Sequence, residues 1–276
     1  AFQDLIEWQI NQGSHGFVPC GTTGESPTLT HEEHERVIDL CIEAANGKVP
    51  VIAGTGSNST DEAISLTKFS KGAGADAALV VTPYYNKPTQ EGLYHHFKAI
   101  NDSCDLPIII YNIPGRSVVD INIETMKKLA KLKNIIGVKD SSNDLTRPLL
   151  TTKSIGKNFC QISGEDATVV PFLSQGGHGC ISVTANIVPR MCSDLHNAWQ
   201  KGNFKKVQSL NSFLFPLHNV LFLETSPGPV KYAASLLKIC SEELRLPLVK
   251  VAPNTKKEIK SILTKLKIKP IKKKKC

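Results

Sequence analysis

The stretch Asn134-Ile135-Ile136-Gly137-Val138-Lys139-Asp140-Ser141-Ser142 places a lysine at the carboxyl end of a short apolar run. Its β-branched residues predict a buried parallel strand, because such strands are short apolar segments bounded by polar turn residues. In an α/β barrel the Lys139 side chain would point into the mouth, where these folds keep their chemistry. Neighbouring strands would bury its stem, which favours a neutral amine able to attack a carbonyl carbon. The stretch therefore predicts Schiff-base chemistry, and the alternative is a lysine that extends from the strand end into solvent.

Apolar runs alternate with helical patterns along the chain at a spacing of roughly 25 residues, the rhythm of βα units in a parallel sheet. Seven strands are predicted, at 16–21, 49–54, 77–82, 107–111, 135–139, 159–163 and 180–183. Helices are predicted at 2–12, 30–45, 60–71, 91–103, 123–131, 145–155, 167–175, 189–200, 204–221, 230–240 and 256–266. The pattern is typical of an α/β TIM barrel, (β/α)8, over residues 1–200, followed by a helical region over 201–266 and a disordered basic tail over 267–276.

Seven predicted strands are one short of a closed eight-stranded barrel. The chain opens on the helix predicted at 2–12, so the first barrel strand is expected to be missing from this chain. A gap of that kind would leave two unpaired strand edges, which favour aggregation.

The basic charge of the chain lies almost entirely at its end. Of the net charge of +8, residues 255–276 hold +9, from ten lysines and one acid, which leaves about −1 for the remainder. A nucleic-acid-binding domain needs its positive charge along a folded face, so no nucleic-acid partner is expected. No run approaches the roughly 20 apolar residues of a membrane span, and the first residues form an acid-bearing amphipathic pattern instead of a secretory signal. Eight scattered cysteines without a Cys-x-x-Cys pair suit a reducing cytoplasm.

The residues expected at the carboxyl ends of the strands carry the candidate chemistry. They are Gly21 to Glu25, Thr82 to Asn86, Tyr111 to Arg116, Lys139, Gly164 to Asp166, and Ile181 with Ser182. Phenols and hydroxyls can pass protons during imine formation, and an arginine can hold a carboxylate in fork geometry. No cluster of His or Cys suggests a metal, and the glycine-rich stretches lack the spacing of phosphate-binding or dinucleotide-binding loops, so no cofactor is expected.

Seven motifs resemble the dihydrodipicolinate synthase (4-hydroxy-tetrahydrodipicolinate synthase) branch of the pyruvate-dependent class I aldolases. They are Gly-Thr-Thr-Gly-Glu-Ser (21–26), Val-Thr-Pro-Tyr-Tyr-Asn (81–86), Tyr-Asn-Ile-Pro-Gly-Arg (111–116), Ile-Gly-Val-Lys (136–139), Ser-Gly-Glu-Asp (163–166), Gly-Gly-His-Gly-Cys-Ile-Ser-Val (176–183) and Pro-Val-Lys (229–231). The resemblance covers Phe2 to about Lys265. It implies a (β/α)8 barrel with a C-terminal helical region, assembled as a homotetramer of tight dimers. It also implies condensation of pyruvate with aspartate semialdehyde in diaminopimelate and lysine biosynthesis.

The same resemblance implies roles for individual residues. Lys139 matches the Schiff-base lysine, Tyr111 the phenol that transfers protons above it, and Thr22 a hydroxyl that relays them. Tyr85 matches the phenol that completes the relay from the neighbouring subunit. The residues that match substrate-binding positions are Arg116 for the semialdehyde carboxylate, Thr23 for the pyruvate carboxylate, and Gly164 and Ile181 for the pocket backbone.

A lysine-feedback site is also implied by the resemblance. Its positions at the dimer interface match Ser26, His31, His34, Asn58, Glu62 and Tyr84. Two residues next to predicted site positions depart from the family pattern. Pro27, after Ser26, replaces a frequent alanine, and Ser117 replaces the usual threonine after Arg116.

Two other functions fit parts of the sequence. Sialic-acid lyases share the lysine and the tyrosine, so an N-acetylneuraminate lyase-like 2-keto-acid aldolase is one alternative. The other is a truncated, non-catalytic remnant, which the absent first strand suggests.

Overall fold

The computed structural model describes residues 1–271, and their internal contacts divide the chain into two compact units. The sheet unit comprises Gly16–Gly21 and His31–Ile181, and the helical unit comprises Ala1–His15, Thr22–Thr30 and the chain from Ser182 onward. Lys272 to Cys276, half of the tail expected to be disordered, lie outside the described residues. Before them, the Ile271 amide donates to the Leu237 carbonyl at 3.1 Å.

The sheet unit contains a six-stranded parallel sheet whose strands follow one another in chain order. They are β1 (Ile52–Gly54), β2 (Ala77–Val81), β3 (Ile108–Asn112), β4 (Ile135–Asp140), β5 (Cys160–Ser163) and β6 (Gly179–Cys180). Every neighbouring pair is parallel, so the carboxyl ends of all six strands lie along one edge. An α/β fold with a parallel sheet is therefore confirmed, and this edge is where ligands bind in such folds.

The first predicted strand, 16–21, is wrong as a strand. Phe17 forms one isolated parallel bridge with Val51, and the Gly54 amide donates to the Pro19 carbonyl at 2.9 Å. Pro19 has no amide hydrogen to donate, and Cys20 turns the backbone with a φ of 56°, so the ladder stops. The last predicted strand, 180–183, is displaced: β6 is shorter and begins one residue earlier, and a 3-10 turn at Thr184–Asn186 follows.

Helices occupy the connections between strands in the sheet unit. They are α2 (His31–Ala45), α3 (Thr60–Ala73), α4 (Gln90–Ser103), α5 (Pro114–Ser117), α6 (Ile123–Leu129), α7 (Arg147–Ile155) and α8 (Val169–Ser174). The helical unit holds α1 (Phe2–Asn11), α9 (Pro189–Gln200), α10 (Phe204–Val220), α11 (Gly228–Leu236) and α12 (Pro253–Lys265). All predicted helices exist within a few residues of their predicted ends; the short α5 was not predicted. No helix among residues 1–271 is long and apolar enough to cross a membrane.

Side-chain caps explain several of the helix starts. The Asn122 side chain accepts from the Thr125 amide at 2.8 Å at the start of α6, and Thr89 accepts from the Gly92 amide at 3.2 Å at the start of α4. Such a cap stabilises a helix by about 1 kcal/mol, because it satisfies an amide that has no partner in the first turn.

Both faces of the sheet are buried. Ile108 and Ile110 of β3 pack in one apolar cluster with Phe97 of α4 and Met126 of α6. The alternate residues Ile109 and Tyr111 pack in a second cluster with Leu79 of β2. Successive side chains along a strand point to opposite faces of the sheet. Tyr111 therefore lies on the face opposite the first cluster, which α4 and α6 cover.

His96 of α4 couples the stability of the sheet unit to pH. Its Nδ1 lies 2.9 Å from the Thr60 hydroxyl, and its Nε2 is buried without a hydrogen-bond partner within residues 1–271. Burial lowers the pKa of His96 from 6.5 to about 4, so the folded state holds the neutral ring. Stability is therefore fully present above pH 6.5 and is lost as the pH falls toward 4, by up to about 3 kcal/mol.

We expect the Tm of the His96→Gln variant to fall less than that of the parent between pH 7 and pH 4.5. Differential scanning calorimetry across this range measures the difference. His95→Gln, at the exposed neighbouring position, is the matched control and should keep the parental pH slope. Equal slopes for the His96 variant and the parent would contradict the assignment.

Candidate active site

Lys139 and Tyr111 form the centre of the candidate site. They are register partners on the adjacent strands β4 and β3, and Lys139 Nζ lies 3.9 Å from the centroid of the Tyr111 ring. Only 8% of Lys139 and 7% of Tyr111 is exposed. The ring face attracts the ammonium when the lysine is charged. The alternative of a strand-end lysine extended into solvent is therefore wrong.

Gly164 makes the space in which Lys139 lies. A Cβ at this position would stand 3.0 Å from Lys139 Cε and 1.8 Å from the Ser141 hydroxyl oxygen. Gly164 follows β5, whose Ile162 is the other register partner of Lys139. Ile181, also predicted as pocket-lining, packs in the apolar cluster of Tyr111. The structure thus brings four predicted site residues of the sheet unit together.

An ion pair fixes the carboxyl end of β4. Asp140 accepts from Arg147 Nε at 2.9 Å, and Arg147 also donates to the Ile121 carbonyl at 2.7 Å. Asn112 at the end of β3 donates to Asp120 at 2.7 Å. A movement that separated these partners would leave a buried charge unpaired, which is strongly destabilising. The network therefore holds the ends of β3 and β4 in one arrangement next to Lys139.

Arg116 lies on α5, directly after β3, and is exposed. The turn beneath it is held by Ser117, whose hydroxyl donates to the Ile113 carbonyl at 2.9 Å. The Thr82 hydroxyl in turn donates to Ser117 at 2.9 Å. Both hydrogen bonds involve only the Ser117 hydroxyl, so a serine can make them in place of the family's threonine.

Glu165 is a site residue that the sequence did not single out. Burial, and then the nearby Asp166 carboxylate, raise the pKa of Glu165, whereas Lys139, Ser141 and Arg116 oppose that shift. The acid therefore lies in the electrostatic field of both basic residues of the candidate site. The only feature of the sequence that pointed to Glu165 was its position in the loop after a predicted strand. Asp166 shares that position, so the sequence does not distinguish the two acids.

The two tyrosines after β2 differ in environment. Tyr85 is 89% exposed and has a φ of 71°, an uncommon backbone conformation for a tyrosine. Tyr84 is half-buried, its carbonyl accepts from the Asn58 side chain at 3.2 Å, and burial raises its pKa. Within a single chain Tyr85 is therefore not buried in the cluster that holds Tyr111.

Five residues predicted for lysine binding lie in the sheet unit, and each of them makes side-chain contacts there. His31 Nε2 is 2.7 Å from the Glu62 carboxylate, and the Ser57 hydroxyl donates to the same carboxylate. The Asn58 side chain donates to the Tyr84 carbonyl. The Ser57 hydrogen bond, followed by those of His31, lowers the pKa of Glu62. His34 is buried, with Nε2 2.7 Å from the Gly54 carbonyl, and burial lowers its pKa.

The remaining predicted residues, Thr22, Thr23 and Ser26, lie in the helical unit. Thr22 and Thr23 open a 3-10 turn, Thr22–Gly24, and Ser26 opens the next one. Glu25 between the turns has a φ of 56° and accepts from Lys231 Nζ at 2.5 Å and from the Arg245 amide at 3.0 Å. These contacts fix the turn that presents the two threonines.

No group of three or more His, Cys, Asp or Glu side chains that could hold a metal ion occurs in the described part of the chain.

A lysine amine largely shielded from water at the end of a parallel strand, against the ring of a phenol, is the arrangement expected of a lyase that works through a lysine amine. The chain belongs to the Dihydrodipicolinate synthetase family, whose sequence profile matches residues 1–266.

The relatives of the chain agree with this assignment. It is 64% identical over 265 residues to a 4-hydroxy-tetrahydrodipicolinate synthase of Rhodospirillum centenum, covering 96% of this chain and 91% of the relative. The crystal structure of dihydrodipicolinate synthase from Aquifex aeolicus is 44% identical and superimposes with a TM-score of 0.95, covering 98% of this chain and 92% of that one. These similarities do not favour an N-acetylneuraminate lyase-like enzyme or a non-catalytic remnant.

Two further solved relatives were crystallised with ligands. The chloride-inhibited dihydrodipicolinate synthase of Acinetobacter baumannii, complexed with pyruvate, is 44% identical with a TM-score of 0.94, over 97% of this chain and 92% of that one. The enzyme of Cyanidioschyzon merolae with lysine bound is 34% identical with a TM-score of 0.93, over 97% of this chain and 91% of that one.

Proposed function

We propose that this chain is a lyase that condenses pyruvate with L-aspartate 4-semialdehyde to give 4-hydroxy-tetrahydrodipicolinate, in diaminopimelate and lysine biosynthesis. The observation that carries the proposal is the burial of Lys139 against Tyr111 at the carboxyl edge of the sheet. The 64% identity to a relative named for this product agrees with it.

The Lys139 amine attacks the keto carbon of pyruvate, and the carbinolamine loses water to leave an imine. The imine loses a methyl proton and becomes an enamine, whose carbon adds to the aldehyde carbon of the second substrate. The amino group of that substrate then attacks the imine carbon, which closes the ring and releases Lys139. The water lost in imine formation balances the reaction, and no cofactor takes part.

Each proton transfer needs a group near Lys139 Nζ. The Tyr111 hydroxyl is the candidate on the adjacent strand, since its ring already contacts the amine. Thr22 and, from a neighbouring subunit, Tyr85 extend the relay in this proposal, and the 89% exposure of Tyr85 agrees with a role outside its own chain. Thr23 holds the pyruvate carboxylate and Arg116 the semialdehyde carboxylate.

The proposal includes the architecture that the family resemblance implies. In this proposal the six parallel strands in chain order belong to a (β/α)8 barrel over residues 1–200, followed by a helical region over 201–266. The working form is a cytoplasmic homotetramer, a dimer of dimers, in which Tyr85 crosses between chains. Sedimentation of the purified chain tests the assembly.

A coupled assay tests the function. Purified protein is given pyruvate and aspartate semialdehyde, and the product is followed through a dihydrodipicolinate reductase that oxidises NADPH. Borohydride added with pyruvate alone should fix a mass adduct on the peptide that carries Lys139. Absence of both turnover and adduct would overturn the proposal.

Lysine is proposed as a feedback inhibitor bound by Ser26, His31, His34, Asn58, Glu62 and Tyr84. The ionised carboxylate of Glu62 would attract the ligand's ammonium, and the lowered pKa of Glu62 keeps that charge at neutral pH. The relative with lysine bound supports a site of this kind.

We expect Glu62→Gln to weaken lysine inhibition by at least tenfold, because a neutral amide replaces the charged partner of the ammonium. The concentration of lysine that halves the rate is the measurement. Asp61→Asn, which changes the preceding carboxylate on α3, is the matched control and should leave inhibition unchanged. Equal inhibition of the parent and the Glu62 variant would remove Glu62 from the site.

A further inference from the structure

Arg147, the first residue of α7, ties together segments that follow two strands of the candidate site, and no motif of the sequence singled it out. Its Nε donates to Asp140 at 2.9 Å, its Nη2 donates to the Ile121 carbonyl at 2.7 Å, and its Nη1 lies 3.2 Å from Asp120. The Arg147 side chain is 17% exposed, so these contacts replace most of its hydration. A guanidinium suits this position because its donors lie in one plane and point in fixed directions, which an ammonium does not reproduce.

The contacts of Arg147 lie one step beyond the pair that carries the proposed chemistry. β3 and β4 align Tyr111 with Lys139, and the next aligned pair is Asn112 and Asp140. Side chains alternate along a strand, so the second pair points to the face opposite the first. Arg147 therefore acts on the amine through the backbone of the two strands and not by direct contact.

Asn112 is held by the same residues that Arg147 contacts. It is fully buried, its side chain donates to Asp120 at 2.7 Å, and it accepts from the Ile121 amide at 3.1 Å. Asn112 Nδ2 also lies 3.4 Å from the Asp140 carboxylate oxygen that faces Arg147. The guanidinium thus links both members of the second pair and aligns the carboxyl ends of β3 and β4.

The ladder between β3 and β4 is interrupted before it reaches these ends. Ile108 pairs with Ile135, whereas the next residue of β3 pairs with Gly137, so the register skips Ile136. An extra residue of this kind disrupts the ladder locally and bends the strand. The pairing before the interruption therefore does not by itself fix the alignment at the carboxyl ends, which depends on the contacts that follow it.

We propose that Arg147 is a positioning residue for the imine chemistry, because it aligns the strand ends from which the Lys139 amine meets the Tyr111 ring. Proton transfer between an amine and a phenol depends on their alignment, and a displacement of about 1 Å can slow a reaction about 100-fold. This inference rests on the proposed function and adds to it a residue that does not touch the substrate.

The test measures how fast the imine forms. Protein is mixed with pyruvate and quenched with borohydride at increasing times, which gives the rate constant of adduct formation on Lys139. We expect Arg147→Ala to lower this rate constant and kcat about 100-fold, since the amine and the phenol lose their alignment. Millimolar guanidinium should restore most of the loss, because it can occupy the space between the two carboxylates. Ammonium at the same concentration should not.

Arg147→Lys decides the matter if the alanine variant does not fold, because it keeps a positive charge between Asp120 and Asp140. We expect about tenfold slower adduct formation without a change in Tm, since an ammonium does not reach both carboxylates and the carbonyl in the same geometry. Arg36→Ala is the matched control. The Arg36 guanidinium is exposed on α2, 3.6 Å from Glu43, so this variant should keep the parental rate.

Circular dichroism shows which variants are folded, and the rates then separate the outcomes. A parental rate constant in a folded Arg147→Ala or Arg147→Lys protein would overturn the inference while the proposed function stands. So would a slow Arg147→Ala protein that guanidinium does not restore, because the arginine would then only support the fold. Absence of an adduct in the parent would instead overturn the proposed function. A slow alanine variant that guanidinium restores, or a slow lysine variant with the parental Tm, supports both.

Discussion

Replacement of Lys139 by arginine is expected to reduce kcat by at least about 1,000-fold and to abolish the borohydride adduct with pyruvate. The guanidinium stays protonated near neutral pH and cannot attack a keto carbon, whereas it retains the positive charge over the Tyr111 ring. The fold should therefore survive, with a far-ultraviolet circular dichroism spectrum like that of the parent. Steady-state rates and intact-mass spectrometry after reduction measure the two effects.

Lys157→Arg is the matched control, because Lys157 is exposed before β5 and should tolerate the same exchange without loss of rate or adduct. A Lys139→Arg protein that still formed the adduct would show that another amine carries the imine. A protein that lost its circular dichroism signal would require the Lys139→Met variant to separate folding from chemistry.

Gly137→Ala is expected to destabilise the protein by about 3 kcal/mol, at the upper end of overpacking effects. Gly137 lies within β4, two residues before Lys139, and a Cβ there would stand 2.4 Å from the Cys160 carbonyl oxygen and 2.7 Å from Cys160 Cβ. That oxygen belongs to the backbone of β5 and cannot rotate away, so the two strands must move apart. Chemical denaturation, followed by circular dichroism, measures the change in the free energy of unfolding.

The same exchange at Gly72 is the control. Gly72 lies inside α3, and a Cβ there would meet nothing within 4 Å. Alanine should stabilise this helix by about 0.5–1 kcal/mol, since glycine loses more conformational freedom when it becomes helical. The two substitutions should therefore change stability in opposite directions, and a neutral Gly137→Ala would mean that β4 and β5 are not packed as described.

Local chemistry explains why most elements were predictable. Ile108 to Tyr111 and Ile135 to Lys139 are β-branched apolar runs between polar segments, and both became strands of the sheet. The segment 16–21 has a similar composition but forms only one bridge, because Pro19 cannot donate and Cys20 turns the chain. Whether an apolar run pairs along its whole length depends on backbone geometry that its composition does not express.

The candidate site shows the same division. The family motifs indicated Lys139, Tyr111 and Gly164, since each lies within a short local pattern. They did not single out Glu165, because the sequence pattern of an acid in a loop after a strand is the same whether the acid is solvated or half-buried. Its pKa is raised by burial and by the Asp166 carboxylate, whereas Lys139, Ser141 and Arg116, which come from other segments, oppose that shift.

The amino-acid order alone established the alternation of strands and helices, the lysine at the end of an apolar run and the family to which these motifs point. Only the folded chain decided that Tyr111 pairs in register with Lys139, that Gly164 leaves the space between Lys139 and Ser141, and that burial raises the pKa of Glu165. The physical reason is that helix and strand patterns arise from neighbours in sequence. Register, burial and electrostatic fields arise instead from segments that are distant in the chain and meet only when it folds.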